Sequence, residues 1–159
     1  MEQAIVASGC FWGTEFFLKK ETGILQTTVG YIGGHVENPT YAQVCEKTTG
    51  HYEACLVDFD PAIIPYEQVL RVFFETHDPT QSDGQGPDLG PQYRSAIFYQ
   101  SAEQKTIAEM LIGRLEAKGL AIATVLLPAS KFYVAENYHQ DYYNHQGTVP
   151  YCHGYRRLF

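Results

Sequence analysis

The stretch HYEACLVDF, from His51 to Phe59, restricts the fold more than any other part of the sequence. Successive side chains of a strand face opposite sides of its sheet, and here both alternating sets are largely apolar. Asp60-Pro61 then ends the run with a turn signal. Because a strand that is apolar on both faces is normally covered on both, we predict that this strand is buried from two sides. Glu53 is then an acid inside a buried strand.

The sequence on either side of this strand predicts alternating strands and helices. On the N-terminal side we predict a strand from Gln3 to Ala7, a helix from about Gly13 to Glu21, a β-rich segment from Ile24 to Tyr31, and a short helix near Tyr41 to Lys47 capped by Thr40. On the C-terminal side we predict a helix from Tyr66 to Thr76, an irregular stretch from Asp78 to Gln92, a strand from Arg94 to Tyr99, a helix from a Ser101/Gln104 capping box to Gly119, a strand from Leu120 to Leu127 and a helix near Ala135 to Asn144.

This order of elements favours an α+β fold over a doubly wound parallel sheet. We predict a two-layer sandwich, with a mixed or antiparallel sheet, helices packed on one face around a ferredoxin-like core, and an irregular C-terminal tail. The length of 159 residues is typical of one domain, so residues 1–159 are predicted to form a single catalytic domain.

Composition excludes several classes of protein. Apolar residues make up 45% of the chain, which is enough for a hydrophobic core. The formal net charge of −7 disfavours nucleic acid as a partner. No run approaches the roughly 18 apolar residues of a membrane helix, and the N-terminus lacks the basic region of a signal peptide. We therefore expect a cytoplasmic protein with no membrane partner, and separately we expect a monomer.

The four cysteines indicate thiol chemistry at one position. They form no C-x-x-C pair, which argues against a zinc site. Cys10 lies where a predicted strand ends and a helix begins, and backbone N–H groups there stabilise a thiolate. Gly9 and Gly13 flank it and permit a tight turn. We predict that Cys10 is a nucleophile, whereas Cys45 and Cys55 are interpreted as structural.

Six segments carry a resemblance to a known family. They are GCFWGTEF (9–16), NPTYAQVC (38–45), TGHYEA (49–54), HDPTQ (77–81), QGPDLGPQYRSAIF (85–98) and AENYHQDYY (135–143). In this order they resemble the peptide methionine sulfoxide reductases of the A class, and the resemblance spans Gln3 to about Tyr143. Tyr52 and Pro91 depart from the family pattern, which has a small residue and a hydroxyl residue there. The tail resembles the family only around Tyr151–His153.

The resemblance implies reduction of methionine-S-sulfoxide, free or in proteins, by a thiol that becomes a sulfenic acid. It assigns Cys10 as nucleophile and Glu53 as acid, and burial of Glu53 favours the neutral form that this role needs. The implied substrate pocket consists of Phe11, Trp12, Tyr41, Asp88 and Tyr93. No cofactor or metal is implied as bound. Thioredoxin is the expected partner and reductant, with dithiothreitol as its substitute in vitro.

Cys152 is the predicted resolving thiol, because it lies in a terminal segment bracketed by Gly147 and Gly154, and Cys45 is the fallback. Other interpretations stay open at this stage. Cys10 with His139 could form a cysteine hydrolase or acyl-transferase, or the chain could be a non-catalytic ligand-binding module. Glu53 could instead pair with Arg94. We expect His139 to organise hydrogen bonds with Asp141 or the backbone.

Overall fold

The computed structural model describes residues 1–151 and 153–159. Eight strands and five α-helices follow one another in these residues, together with 3₁₀ turns at Pro91–Tyr93 and Asn137–His139. The elements are β1 (Glu2–Ser8), α1 (Phe11–Lys19), β2 (Ile24–Ile32), α2 (Tyr41–Cys45), β3 (Tyr52–Phe59), α3 (Tyr66–Glu75), β4 (Gly84–Gln85), β5 (Asp88–Leu89), β6 (Ser95–Tyr99), α4 (Ala102–Ala117), β7 (Val125–Pro128), β8 (Tyr133–Val134) and α5 (Tyr142–Gln146).

Six of the strands form one sheet in the order β7-β6-β1-β3-β2-β8, and β4 and β5 form a separate hairpin. All neighbours in the large sheet are antiparallel except β6 and β7, which are parallel. Its four central strands, with α1 and α3 as connections, reproduce the β-α-β-β-α-β order of a ferredoxin-like core. The predicted α+β class and ferredoxin-like core are confirmed.

Both faces of the sheet are covered, one by helices and the other by the segment 127–132. On one face, apolar residues of β1, β2 and β3 pack with residues of α1, α3 and α4, such as Leu18, Leu70 and Leu111. On the other face, a smaller cluster that includes Tyr52 and Phe98 packs under the segment 127–132. The predicted burial of β3 from two sides is therefore correct, and the helices lie on one face, as expected.

Helix starts follow the capping signals of the sequence. The Thr40 side chain accepts the N–H of Gln43, and the Gln43 side chain accepts the N–H of Thr40, which completes a capping box for α2. Ser101 caps α4 through the N–H of Gln104, but the Gln104 side chain accepts the N–H of Gln100 instead of closing the box on Ser101.

Two elements of the C-terminal third differ from the prediction. The strand expected from Leu120 begins only at Val125, because its partner β6 is five residues long and the preceding Ala123 N–H bonds to Pro79 in a loop. The helix expected over 135–144 is replaced by the 3₁₀ turn at Asn137–His139 and by α5, which begins only at Tyr142, since Asp141 adopts a positive φ of 56°. None of the helices within the described residues is long and apolar enough to cross a membrane.

Candidate active site

Cys10 lies at the junction between the central strand β1 and helix α1. It is the N-cap residue of α1, and its carbonyl accepts the N–H groups of Gly13 and Thr14 at 3.1 and 3.4 Å. Gly9 turns the chain into the helix with a φ of 100°, a conformation that glycine adopts without strain. The Cys10 side chain is buried at the positive end of the helix dipole, where a thiolate is favoured.

Val6 of β1 pairs with Cys55 of β3, and the two strands are antiparallel. Glu53, two residues before Cys55, therefore lies beside the C-terminal end of β1. Glu53 as a whole is 1% exposed. One carboxyl oxygen accepts the N–H of Phe11 at 3.3 Å, and the other has no hydrogen-bond partner among the described residues. Burial, with a smaller contribution from the charge of Asp88, raises the pKa of Glu53 to about 8. The group is therefore largely protonated at neutral pH and can donate a proton.

The structural ion pair between Glu53 and Arg94 does not form. The Arg94 guanidinium donates to the carbonyl of Pro91 at 2.9 Å and lies 4.6 Å from the centre of the Tyr52 ring. Tyr52 faces the side of the sheet opposite to Glu53 and packs against Phe98. The departure from the family pattern at Tyr52 therefore leaves the surroundings of Glu53 unchanged.

Tyr41 at the start of α2 and Tyr93 at the end of a 3₁₀ turn surround the acid. Burial, followed by the charge of Glu53, raises the pKa of both phenols well above the ordinary range, so both remain hydroxyl donors. Cys45 lies in the same group, hydrogen-bonded to the Tyr41 hydroxyl. The thiol predicted to be structural therefore contacts a pocket residue, while Cys55 is fully buried in the core as expected.

A cluster of aromatic rings forms around Phe11 and Trp12, the residues after Cys10, from elements far apart in the sequence. The Trp12 ring stacks on Tyr142 at 3.7 Å, and its indole N–H donates to Nδ1 of His139 at 3.0 Å. The His139 ring also lies 5.2 Å from Phe11 and 4.4 Å from Tyr41. The prediction that this ring bonds to Asp141 or the backbone is therefore wrong, because Trp12 is its partner.

The arrangement of His139 also argues against the hydrolase interpretation. Its Nδ1 is engaged by Trp12, and its Nε2 has no hydrogen-bond partner among the described residues. A cysteine hydrolase needs the imidazole in hydrogen-bond contact with the nucleophile and oriented by a further polar group. Neither ring nitrogen provides that contact to Cys10.

Several residues near these side chains are not indicated by any pattern singled out in the sequence. Glu136 accepts the Tyr31 hydroxyl and the Tyr41 N–H, both at 2.9 Å, and so ties β2 to the start of α2. The Tyr151 hydroxyl donates to the Asp88 carboxylate at 2.8 and 2.9 Å. Glu136 lies in a family-like segment, which is the one signal that could have identified it.

The structure brings together seven of the eight site residues predicted from the sequence. Contacts and electrostatic interactions connect Cys10, Phe11, Trp12, Glu53, Tyr41, Tyr93 and Asp88. The eighth, Cys152, lies outside the described residues, and its predicted role as resolving thiol stays a prediction.

Comparison with known proteins agrees with this geometry. The family described as peptide methionine sulfoxide reductase matches residues 2–158. The chain belongs to this family. It is 53% identical over 152 residues to the peptide methionine sulfoxide reductase MsrA of Thermus thermophilus, across 95% of this chain and 86% of the relative.

Solved structures of this family share the fold. Mxr1 from Saccharomyces cerevisiae in its reduced form superposes with a TM-score of 0.90 at 36% identity, covering 98% of this chain and 92% of that one. Mxr1 in complex with Trx2 matches with a TM-score of 0.65 at 26% identity, covering 98% and 89%. The predicted family and enzyme class, an oxidoreductase that reduces methionine sulfoxide, are confirmed.

Proposed function

We propose that this reductase acts on methionine-S-sulfoxide, free or in proteins, with Cys10 as nucleophile and Glu53 as proton donor. The observation that carries the proposal is a buried carboxylic acid, protonated at neutral pH, whose oxygen bonds to the residue next to an N-cap cysteine. A sulfoxide sulfur is a poor electrophile until its oxygen is protonated, and Glu53 supplies that proton.

The first step transfers one oxygen atom and leaves a balanced set of products. The Cys10 sulfur attacks the sulfoxide sulfur while Glu53 protonates the sulfoxide oxygen. This attack joins the two sulfur atoms; the protonated oxygen then passes to the Cys10 sulfur as a hydroxyl group, while the sulfur–oxygen bond of the substrate and the new sulfur–sulfur bond both break. The methionine thioether is released, and Cys10 becomes a sulfenic acid. The sulfoxide is reduced by two electrons and the Cys10 sulfur is oxidised by two.

The surrounding side chains suit the two ends of a methyl sulfoxide. The Tyr41 and Tyr93 hydroxyls remain protonated near Glu53 and can donate to the sulfoxide oxygen. Phe11 and Trp12 supply the apolar rings of the aromatic cluster next to Cys10, and we assign the substrate methyl group to them. Asp88 borders the same site and is held by Tyr151.

We further propose that Cys152 resolves the sulfenic acid and that thioredoxin reduces the resulting disulfide. The structure of a relative, Mxr1, in complex with Trx2 supports a thioredoxin as partner. Such a disulfide is transient, which suits a reducing compartment, so we place the enzyme in the cytoplasm. We propose that it acts as a monomer of one domain without a bound cofactor or metal.

The test separates the reductive step from recycling. Cys152→Ser should release one methionine per enzyme in a single turnover with the S epimer, with a dimedone-trapped sulfenic acid on Cys10. It should not cycle with thioredoxin and NADPH, whereas dithiothreitol should restore cycling. If Cys152→Ser cycles normally with thioredoxin, Cys152 is not the resolving thiol, and the same test passes to Cys45.

A further inference from the structure

A histidine from the C-terminal tail occupies a slot in the turn that carries Cys10. The His153 imidazole lies against the backbone of Gly13, and a Cβ atom added to that glycine would be 2.2 Å from Nδ1 of the ring. A Cβ atom on Gly9 would lie 3.7 Å from the same ring. The distance at Gly9 is an ordinary contact, so the absence of a side chain at Gly13 is what admits the imidazole beside the Cys10 turn.

Polar contacts fix the ring inside this slot. Nε2 of His153 donates to the carbonyl of Ser8 at 2.6 Å and lies 3.4 Å from the Ser8 hydroxyl. That hydroxyl is 2.7 Å from the Thr14 hydroxyl, on the first turn of α1. His153 is 7% exposed, and burial lowers its pKa to about 4, so the ring is neutral at pH 7 and keeps the proton that this bond needs.

The chain beyond His153 is attached to the end of α3. The N–H of Gly154 donates to the carbonyl of Thr76 at 3.2 Å, and that of Arg156 donates to the carbonyl of Glu75 at 2.7 Å. The Glu75 carboxylate then accepts the N–H of Leu158 at 2.8 Å. The tail from residue 153 onward is thus held by the slot and by a series of backbone hydrogen bonds.

We propose that His153 is a positioning residue for recycling, whose contacts with Gly13 and Ser8 anchor the tail at the turn that carries Cys10 and so assist disulfide formation by Cys152. The inference rests on the proposed role of Cys152 as resolving thiol. Consecutive Cα atoms are about 3.8 Å apart, and a disulfide needs Cα atoms within about 7 Å of each other. If residue 153 is anchored, the effective concentration of the Cys152 thiol at Cys10 is higher than it would be on an unattached tail.

The step that His153 assists forms a sulfur–sulfur bond. The Cys152 sulfur attacks the sulfur of the Cys10 sulfenic acid, the sulfur–oxygen bond breaks, and the hydroxide leaves as water with the proton of the attacking thiol. Reduction of the sulfoxide precedes this step. Loss of the anchor should therefore slow disulfide formation and leave the first methionine release unchanged.

The experiment follows both steps in one stopped reaction. His153→Ala, given methionine-S-sulfoxide without reductant, should release one methionine at the wild-type rate but form the disulfide about tenfold more slowly or worse. Dimedone should trap correspondingly more sulfenic acid on Cys10. The exposed His145 lies in the same C-terminal segment, and His145→Ala should match the wild type in both steps.

Two further variants separate positioning from a general loss of structure. His153→Gln keeps a donor for the Ser8 carbonyl and should restore part of the rate of disulfide formation. Gly13→Ala should slow disulfide formation in the wild-type background because its Cβ displaces the imidazole, yet add little in the His153→Ala background, where the ring is gone.

Three outcomes would overturn the inference, and each can be distinguished from failure of the proposed function. Wild-type disulfide formation in His153→Ala would show that the anchor is dispensable, even if Cys152→Ser fails to cycle. Loss of the first methionine release in His153→Ala would place the residue in the reductive step instead. Additive effects of Gly13→Ala and His153→Ala would show that the slot does not act through the imidazole. Normal cycling of Cys152→Ser would refute the proposed resolving thiol itself.

Discussion

Glu53 shows how one residue obtains its reactivity from its position in the sheet. It lies on β3 beside apolar neighbours, accepts a single N–H from Phe11, and pairs with no cation among the described residues. Removal from water penalises the carboxylate more than the neutral acid, which raises the pKa of the group to about 8. Because Glu53 is protonated at neutral pH, it can donate its proton to an oxygen atom of the substrate.

Glu53→Gln should lower the rate of methionine release in a single turnover by roughly 10²–10⁴-fold, because the amide donates a hydrogen bond but no proton. The wild-type rate should fall as the pH rises through about 8, where Glu53 loses its proton, and the variant should lack this decline. Glu15→Gln is the matched control, since Glu15 is also a buried acid but bonds to Thr27 and Asp141. A rate within about threefold of the wild type would contradict the assignment.

The same pKa shift predicts an effect on stability. Between the ordinary pKa of a glutamate, 4.5, and about 8, the folded protein retains a proton on Glu53 that the unfolded chain has lost. The free energy of unfolding therefore falls as the pH rises through this window, by up to about 1.4 kcal/mol per pH unit from this group. Glu53→Gln removes this contribution, so its stability relative to the wild type should increase from pH 5 to pH 8. Urea unfolding at both pH values measures the difference, and parallel curves would contradict the shift.

At the residue scale, local patterns indicated the groups that we propose to react and missed their distant partners. The glycines around Cys10 and the apolar run around Glu53 are contiguous, so the sequence could indicate both. Tyr31 and Glu136 are 105 residues apart, and Ser8 and His153 are 145 apart. No local pattern records such pairs, because only the folded chain brings them together.

At the scale of elements, the hairpin of β4 and β5 is seated against the turn before α1. Gln85 in this hairpin is fixed by two hydrogen bonds to the backbone of Asp78, at 2.7 and 2.9 Å. A Cβ atom on Gly9 would lie 2.5 Å from its Cβ atom. The lack of a side chain at Gly9 therefore determines how closely Asp88, in the hairpin, and Tyr93, which follows it, approach Cys10.

Gly9→Ala should destabilise the protein by about 1–3 kcal/mol, since it adds this contact to a strained positive φ. It should also lower the rate of methionine release, because the hairpin must move away from Cys10. Gly113→Ala is the matched control: Gly113 lies within α4 with no atom near its would-be Cβ, so the change should stabilise the protein by about 0.5–1 kcal/mol. Thermal unfolding measures both variants, and equal effects would refute the close contact at Gly9.

The errors in the predicted elements have physical causes outside the segments concerned. Leu120–Thr124 has the composition of a strand, but the neighbouring strand β6 is too short to pair with it. The segment 135–144 has helical spacing, but its residues are engaged elsewhere: Gln140 bonds to the backbone of β2, and the Asp141 N–H bonds to Glu15. Tertiary contacts therefore determine the conformation of both segments.

At the scale of the whole molecule, a ferredoxin-like core and a long C-terminal segment contribute different residues to the site. The core supplies Cys10 and Glu53 from adjacent antiparallel strands that meet at one end of the sheet. The C-terminal segment returns to this end and contributes His139, Tyr142 and Tyr151 around them. The class of the fold could be predicted from the order of the elements, whereas the path of this segment depends on contacts that no local pattern shows.

The central claim is that Cys10 reduces the S epimer of methionine sulfoxide. Its most direct test is the amount of methionine released from each epimer, supplied separately with dithiothreitol, by the wild type, Cys10→Ser and the buried-thiol control Cys55→Ala. We expect continued release from the S epimer by the wild type and the control, and none by Cys10→Ser, because a serine hydroxyl is a far weaker nucleophile towards sulfur. Substantial release by Cys10→Ser, or release by the wild type from the R epimer alone, would contradict it.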